Sequence, residues 1–446
     1  MRAQRESTNV RNRRKRGLLF GMVVCAMAGA AAAQAIEVPL TFEKLGEKED
    51  GLRGWYYQGE EVTDGRLKLP SPNAYPSFFV LGGRQFYFAF DKANATDTFY
   101  SRLYFDANGN LDLTDDACIE AKEEPVNEYY AFLKFPPFDV EYQLQGQTLP
   151  YSVSIYIIKY LKQEQAPTTP KRPQFHLRNA CVWTGSLDVN GTEYKIAFGD
   201  SNVDGNYGAT ITHRTDAPEY LVFEGDRVRV SRPGSAGTPY DSMFLSTNLF
   251  IGDNYYTVEV RTAERKAVLT PMAMPPVALK LEPEMYQVQL VSKDSKTGLC
   301  LFDPAGTVHI PPGTYYVASY VSSRTDEQGD RWVLVAHGDL KTAMLTAGGA
   351  EAAATAAELP VGPPYRALVV NEENQFKKIQ VLDDDWRLLL SVKGRGDEVV
   401  GGILRVEGEN THYKLSKNRP NSPLEPEWKV VTEDGEVVAS GVFEYG

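Results

Sequence analysis

The sequence predicts a mainly β fold: several small β-sandwich-like domains with few short helices. Three observations carry that expectation. Strand-forming runs rich in β-branched and aromatic residues recur along the chain, as in Tyr151–Tyr160 (YSVSIYIIKY). Turn pairs such as Asn190-Gly191 sit between such runs, and Asn-Gly readily takes the positive φ that a two-residue hairpin needs. Amphipathic helical stripes are scarce, while 27 prolines and 37 glycines punctuate the chain.

The first 35 residues are expected to be a signal peptide. Arg11, Arg13, Arg14, Lys15 and Arg16 form a basic run, Leu18 to Ala33 is uncharged, and Ala33-Gln34-Ala35 fits small-x-small cleavage. The stretch is too short and too Ala-rich for a membrane anchor. The Arg13-Arg14 pair leaves both the general secretory and the twin-arginine routes open. Removing the leader's seven basic and one acidic residues moves the net charge from −12 to −18. A chain so acidic is repelled by nucleic acid and by anionic membranes, and attracts cations. Periplasmic, cell-surface and extracellular locations all fit, with no membrane insertion after cleavage.

Cys118, Cys181 and Cys300 remain, widely spaced, with neither zinc spacing nor the density of a disulfide framework. Buried thiols with at most one bridge are expected.

Hairpins are expected at Ser186–Val189 and Tyr194–Phe198 around Asn190-Gly191. Others are expected at Trp428–Val431 and Val437–Val442 around Asp434-Gly435, and at Val308–Ile310 and Tyr315–Tyr320 around Pro311–Thr314. Short helices are expected at Ala117–Glu124 and Asn127–Phe132, parted by Pro125. Ala350–Glu358 fits a helix, a linker or a strand edge. Pro271–Pro276 and Gly362-Pro363-Pro364 read as joints. They divide the chain into residues 36–270 (two related halves are an option), 275–360 and 361–446.

Two acidic loops carry the chemical expectation. Asp106, Asn108, Asn110 and Asp112 place side-chain oxygens at positions 1, 3, 5 and 7 of one loop; Asp200, Asn202, Asp204 and Asn206 repeat that spacing. Calcium takes six to eight oxygen ligands, which alternate residues of a tightly wound loop can supply. These loops resemble EF-hand and dockerin calcium loops over about seven residues each. They depart from them in lacking an acid at position 12, where Ala117 and Ile211 stand, and Leu111 replaces the position-6 glycine that Gly205 supplies. A further carboxylate is therefore sought at Asp115 or Asp116, and at Asp216, Glu219 or Glu224. Replacing Asp200 by Ala is expected to remove most of the calcium effect while leaving the calcium-free protein nearly unchanged.

Val308–Tyr320 resembles carboxypeptidase-regulatory or transthyretin-like sandwich modules, which implies an adhesive or structural accessory domain. The layout as a whole resembles a group of exported bacterial multidomain β-proteins without an assigned activity. The stretches that carry this likeness are Leu103–Asp116, Phe198–Gly205 and Gly441–Gly446.

The catalytic inventory is thin. His176, His213, His309, His337 and His412 are dispersed, Asp383–Asp385 and Arg395-Gly396-Asp397 read as solvated turns, and nucleotide and nucleophile-elbow motifs are missing. The expectation is an exported, calcium-stabilised structural or interaction protein whose partner is a protein or a glycan. The alternatives are a carbohydrate-binding accessory protein and a hydrolase whose carboxylate pair is formed only in the fold.

Overall fold

The computed structural model describes residues 34–46, 52, 60–62, 65–97, 99–125, 130–160, 173–214, 222–232, 242–304 and 306–325. Towards the C-terminus it describes 331–337, 344–347, 356–363, 366–372, 387–393, 395, 399–406, 427–431 and 437–442. Nearly all of these residues lie in strands or the turns between them, with no α-helix among them. The expected leader lies outside the described residues, apart from Gln34 and Ala35, and the first strand starts at Ile36. No helix among the described residues is long and apolar enough to cross a membrane.

The Asn190-Gly191 hairpin forms as its residues dictate. Cys181–Val189 pairs antiparallel with Thr192–Gly199, closing at Val189 and Thr192. The two turn residues take φ of 54° and 79°. Glu427–Val431 also pairs with Val437–Val442, although the Asp434-Gly435 turn itself is outside the described residues. The third expected hairpin does not form. Thr307–Ile310 pairs with Val277–Lys280 in a three-stranded sheet, whereas Gly313–Thr325 enters the largest sheet beside Met285–Ser292. Pro311 and Pro312 have no N–H to donate, so the chain passes between sheets there instead of folding back.

The two expected helices are corrected in the same way. Cys118–Glu120 pairs with Arg102–Phe105, and Lys122–Pro125 pairs with Tyr130–Lys134. Pro125 ends its strand at the sheet's edge, where a missing donor is tolerated. Of Ala350–Glu358, the described Ala357–Glu358 is a short strand parallel to Val277–Lys280.

One twelve-stranded sheet runs from Ile36–Pro39, through Lys266–Met272, Asn254–Arg261, Asn248–Ile251 and Gly298–Phe302, to Met285–Ser292. It continues through Gly313–Thr325, Arg331–His337, Val399–Val406 and Arg387–Lys393 to Arg366–Glu372, and the twelfth strand, Met344–Ala347, pairs with Gly313–Thr325 off this path. The sheet thus crosses both expected joints, while the core changes near the first of them. One cluster gathers Val38 to Leu269 with Cys300 and Phe302; the second spans Phe250 to Val361.

Two sheets position the acidic loops. Tyr75–Leu81, Arg84–Asp91, Arg102–Phe105 and Cys118–Glu120 form consecutive strands of one, with the first loop joining the last two. Thr192–Gly199 belongs to the other and leads straight into the second loop. Alternation places Phe79, Phe86, Phe88 and Phe90 inside. Their rings stack or tilt on one another and on Phe105 and Phe175 at centroid separations of 4.8–6.5 Å. Phe105, at one end of this aromatic wall, leads directly into the first loop.

Candidate functional site: two acidic loops

Both loops wind in the same way, and their hydrogen bonds follow position for position. In the first, Asp106 accepts from the N–H groups of Gly109, Asn110 and Leu111 at 2.8, 3.1 and 3.1 Å. Asn108 Oδ1 accepts from Asn110 N (3.0 Å), and Asn110 Oδ1 from Asp112 N (2.7 Å). In the second, Asp200 accepts from Val203 N and Gly205 N, each at 2.8 Å. Asn202 Oδ1 accepts from Asp204 N (3.3 Å), and Asp204 Oδ1 from Asn206 N (2.7 Å). Alternate oxygens are thereby wound towards the inside of each turn.

The backbone explains how two sequences reach one path. Positions 4 and 6 take left-handed φ in both loops: Gly109 (73°) and Leu111 (65°), then Val203 (57°) and Gly205 (83°). Each loop has one glycine and one apolar residue there, in opposite order. A β-branched residue at positive φ is a genuine outlier, and Val203 is held by burial at 1% exposure. Leu111 therefore replaces the position-6 glycine without changing the turn.

Each loop is closed by a second aspartate on the N–H of position 2. Asp116 Oδ1 accepts from Ala107 N at 3.2 Å, and Asp226 Oδ1 from Ser201 N at 3.0 Å. Asp226 Oδ2 also accepts from Ala209 N at 2.7 Å. Asp116 was within reach of the sequence pattern. Asp226 was not, because it follows Asp200 by 26 residues and only strand pairing brings it back. Of the other acids sought, Glu224 lies exposed in a short hairpin strand opposite Thr212, and Asp216 and Glu219 are outside the described residues.

The electrostatics favour a cation. Asp200 and Asp226 are fully buried. Burial pushes both carboxyl pKa values up, Asp204 and Asp200 respectively adding like charge. Asp200 Oδ2 also accepts from the buried Tyr151 hydroxyl at 3.0 Å. The ring of Tyr142 packs against Gly205, and its hydroxyl donates to the Gly205 carbonyl at 2.5 Å. Among the described residues no Lys or Arg pairs with Asp200, Asp204 or Asp226.

In the first loop, burial and the neighbouring Asp106, Asp115 and Asp112 raise Asp116, and its Oδ2 is enclosed without a hydrogen-bond partner. Asn110 Nδ2 donates to Asp115 Oδ2 at 2.9 Å. Asp112 points elsewhere. Lys68 at 2.6 Å and the Thr114 hydroxyl hold its carboxyl down to about 2, so its side chain answers a lysine and only its carbonyl is left for the loop.

Among the described residues no three His, Cys, Asp or Glu side chains make a ready metal cluster. A cation in either loop would draw on Asn amides and backbone carbonyls besides the acids, the mixed oxygen set that calcium accepts. The orphan oxygen of Asp116 and the buried carboxyls of Asp200 and Asp226, raised to about 7 and about 9 and so ready to give up a proton to a cation, fit such an ion.

Other expectations resolve simply. Cys118, Cys181 and Cys300 are all free thiols. His176 stacks on Tyr156 (5.0 Å), His213 bonds the Ser295 hydroxyl, and the backbone N–H of His309 donates to the Tyr255 hydroxyl at 2.7 Å. Arg395 is fastened to Glu282 and to the carbonyls of Leu359 and Val361. Beside the second loop lies a polar groove of about 440 Å³, lined by Gln145, Asn206, Glu259, Arg261, Thr262 and Glu264 among others. No protein-family model, no curated protein and no solved structure matches the chain.

Proposed function

We propose that this is an exported structural or interaction protein whose first core is locked by calcium in two loops, one beginning at Asp106 and the other at Asp200. The observation that carries the reading is the shared wiring. Two loops of different sequence adopt the same positive-φ pattern, the same ladder of side-chain acceptors and the same closing aspartate. A turn needs the ladder alone; it does not need Asp200 and Asp226 buried together with no Lys or Arg partner among the described residues, an arrangement that a divalent cation would stabilise. Export rests on the leader and the acidic mature composition. It predicts purified native protein that begins near Ile36; material beginning at Met1 would remove this part of the reading.

Thermal melts with calcium, with magnesium and with chelator test the cation. Calcium should raise the melting temperature and magnesium should substitute poorly, because magnesium demands a tighter octahedral shell. Coincident curves in all three conditions would reduce the loops to turns.

A carbohydrate ligand is the second reading, favoured by the polar groove at Asn206. Its wall includes the Arg261–Glu259 pair, joined by bonds of 2.9 and 2.8 Å, and Thr262, whose hydroxyl accepts from Tyr207 N. Glycan-array binding that disappears with chelator supports this reading; binding to no glycan removes it.

A further inference from the structure

Arg227 opens the Arg227–Ser231 strand, opposite Gly199 on one side and Phe244 on the other. Its guanidinium carbon sits 3.8 Å from the centre of the Phe244 ring. Phe244 in turn packs on Ile211, Val291 and Ala318 beside Phe223 and Tyr316. The Nε of Arg227 is enclosed and has no hydrogen-bond partner. Among the described residues no carboxylate meets the guanidinium. Asp226, its neighbour in sequence, is committed to the N–H groups of Ser201 and Ala209, and Asp303 pairs with Arg232 at 2.7 Å. The nearby polar groups satisfy one another: Gln289 donates to the Phe244 carbonyl and to Ser246, and the Cys300 thiol does the same.

A guanidinium carries five donors and stays charged at neutral pH. An enclosed Nε without a partner is unfavourable, and the ring beneath the guanidinium offsets only part of that. The residue is partly exposed, so a small solute meets its terminal nitrogens, which are not enclosed as Nε is.

We propose that Arg227, stacked on Phe244, is the recognition element of an oxyanion site that takes a planar carboxylate. The fork of a guanidinium matches two carboxylate oxygens side by side, and the ring fixes the plane of the fork. The chain's overall negative charge steers anions away at long range, so selection rests on direct contact. Arg227 directly follows Asp226 and pairs with Gly199 beside Asp200, so the titrations are run in chelator to keep calcium out of the reading.

The test is calorimetric titration and thermal melting of the full chain with acetate, phosphate and sulfate, against chloride at equal ionic strength. Wild type should bind acetate saturably and melt higher with it. Arg227→Met should bind at least tenfold more weakly and, in chloride, melt at or above wild type, because an uncompensated charge has gone. Arg227→Gln, neutral and hydrogen-bonding, gives the same reading should the Met variant fail to fold. Saturable, Arg227-dependent binding of phosphate or sulfate in place of acetate would overturn the carboxylate assignment. An identical response of wild type and variants would reflect general salt exclusion and overturn the site. Lower melting of both variants in chloride with unchanged anion response would assign Arg227 to packing and do the same.

Discussion

Replacing both closing aspartates, Asp116→Asn with Asp226→Asn, separates the cation from the turn. In the calcium-free protein two effects oppose. Asparagine at 226 retains one acceptor for the Ser201 or Ala209 N–H and loses the other, and a lost charge-assisted bond costs about 1.5–3 kcal/mol. The substitution also removes a carboxyl that burial and the neighbouring Asp200 and Asp204 disfavour as an anion, which returns energy of the same order. Asp116 has one bond to lose and an orphan oxygen to shed. The calcium-free melting temperature should therefore move little.

With calcium the balance differs. A loop with a dissociation constant of about 100 μM at about 1 mM ion gains about 1.4 kcal/mol by mass action. Two loops give about 2.8 kcal/mol. A tenfold loss of affinity in each leaves about 0.8 kcal/mol in total. At about 2–4 °C per kcal/mol, the difference between calcium and chelator should shrink from roughly 6–11 °C to about 2–3 °C. Differential scanning calorimetry in the two buffers reads it. A double variant whose calcium gain equals that of wild type would refute the assignment of Asp116 and Asp226.

Asp200→Ala should lower stability even in chelator, because it strands the Val203 and Gly205 N–H groups and the Tyr151 hydroxyl in the interior; unchanged calcium-free melting would contradict this bonding. Gly205→Ala should cost at least about 1–2 kcal/mol from left-handed strain alone, since φ is 83° and an added Cβ would stand 2.5 Å from the Tyr142 ring; a neutral result in denaturant titration would show that the turn differs. Burial pushes Cys181 and Cys300 up to about 12, so at pH 8 they should resist a thiol reagent while exposed Cys118 reacts. Rapid labelling of all three in native protein would place the two buried thiols at the surface.

The sequence made the β class legible because alternation and Asn-Gly turns are local signals. The same locality explains the errors. Ala117–Glu124 and Asn127–Phe132 have respectable helix propensity, but pairing overrides it for Cys118–Glu120 with Arg102–Phe105 and for Tyr130–Phe132 beside Lys122–Pro125; residues 127–129 lie outside the described residues. The Val308–Tyr320 stretch looks like a hairpin locally, while the partners that claim its strands are the distant Val277–Lys280 and Met285–Ser292. Seven residues of each acidic loop were readable from spacing. Asp226 and the Tyr151 and Tyr142 contacts were not, because they join the loop from other strands. The expectation that Asp200→Ala spares the calcium-free protein is revised for the same reason: a one-dimensional pattern does not show how deeply Asp200 is buried or what it binds. Leu111 illustrates the opposite case. A departure from the glycine pattern that looked damaging is absorbed by the backbone at φ 65°.

Isothermal titration of metal-free protein with calcium tests the central claim most directly. The account predicts saturable binding with a stoichiometry of about two per chain and affinities in the range of about 10–100 μM. It further predicts that Asp106→Asn and Asp200→Asn each remove one site. Absence of binding heat at millimolar calcium, with a melting curve that ignores chelator, would contradict it.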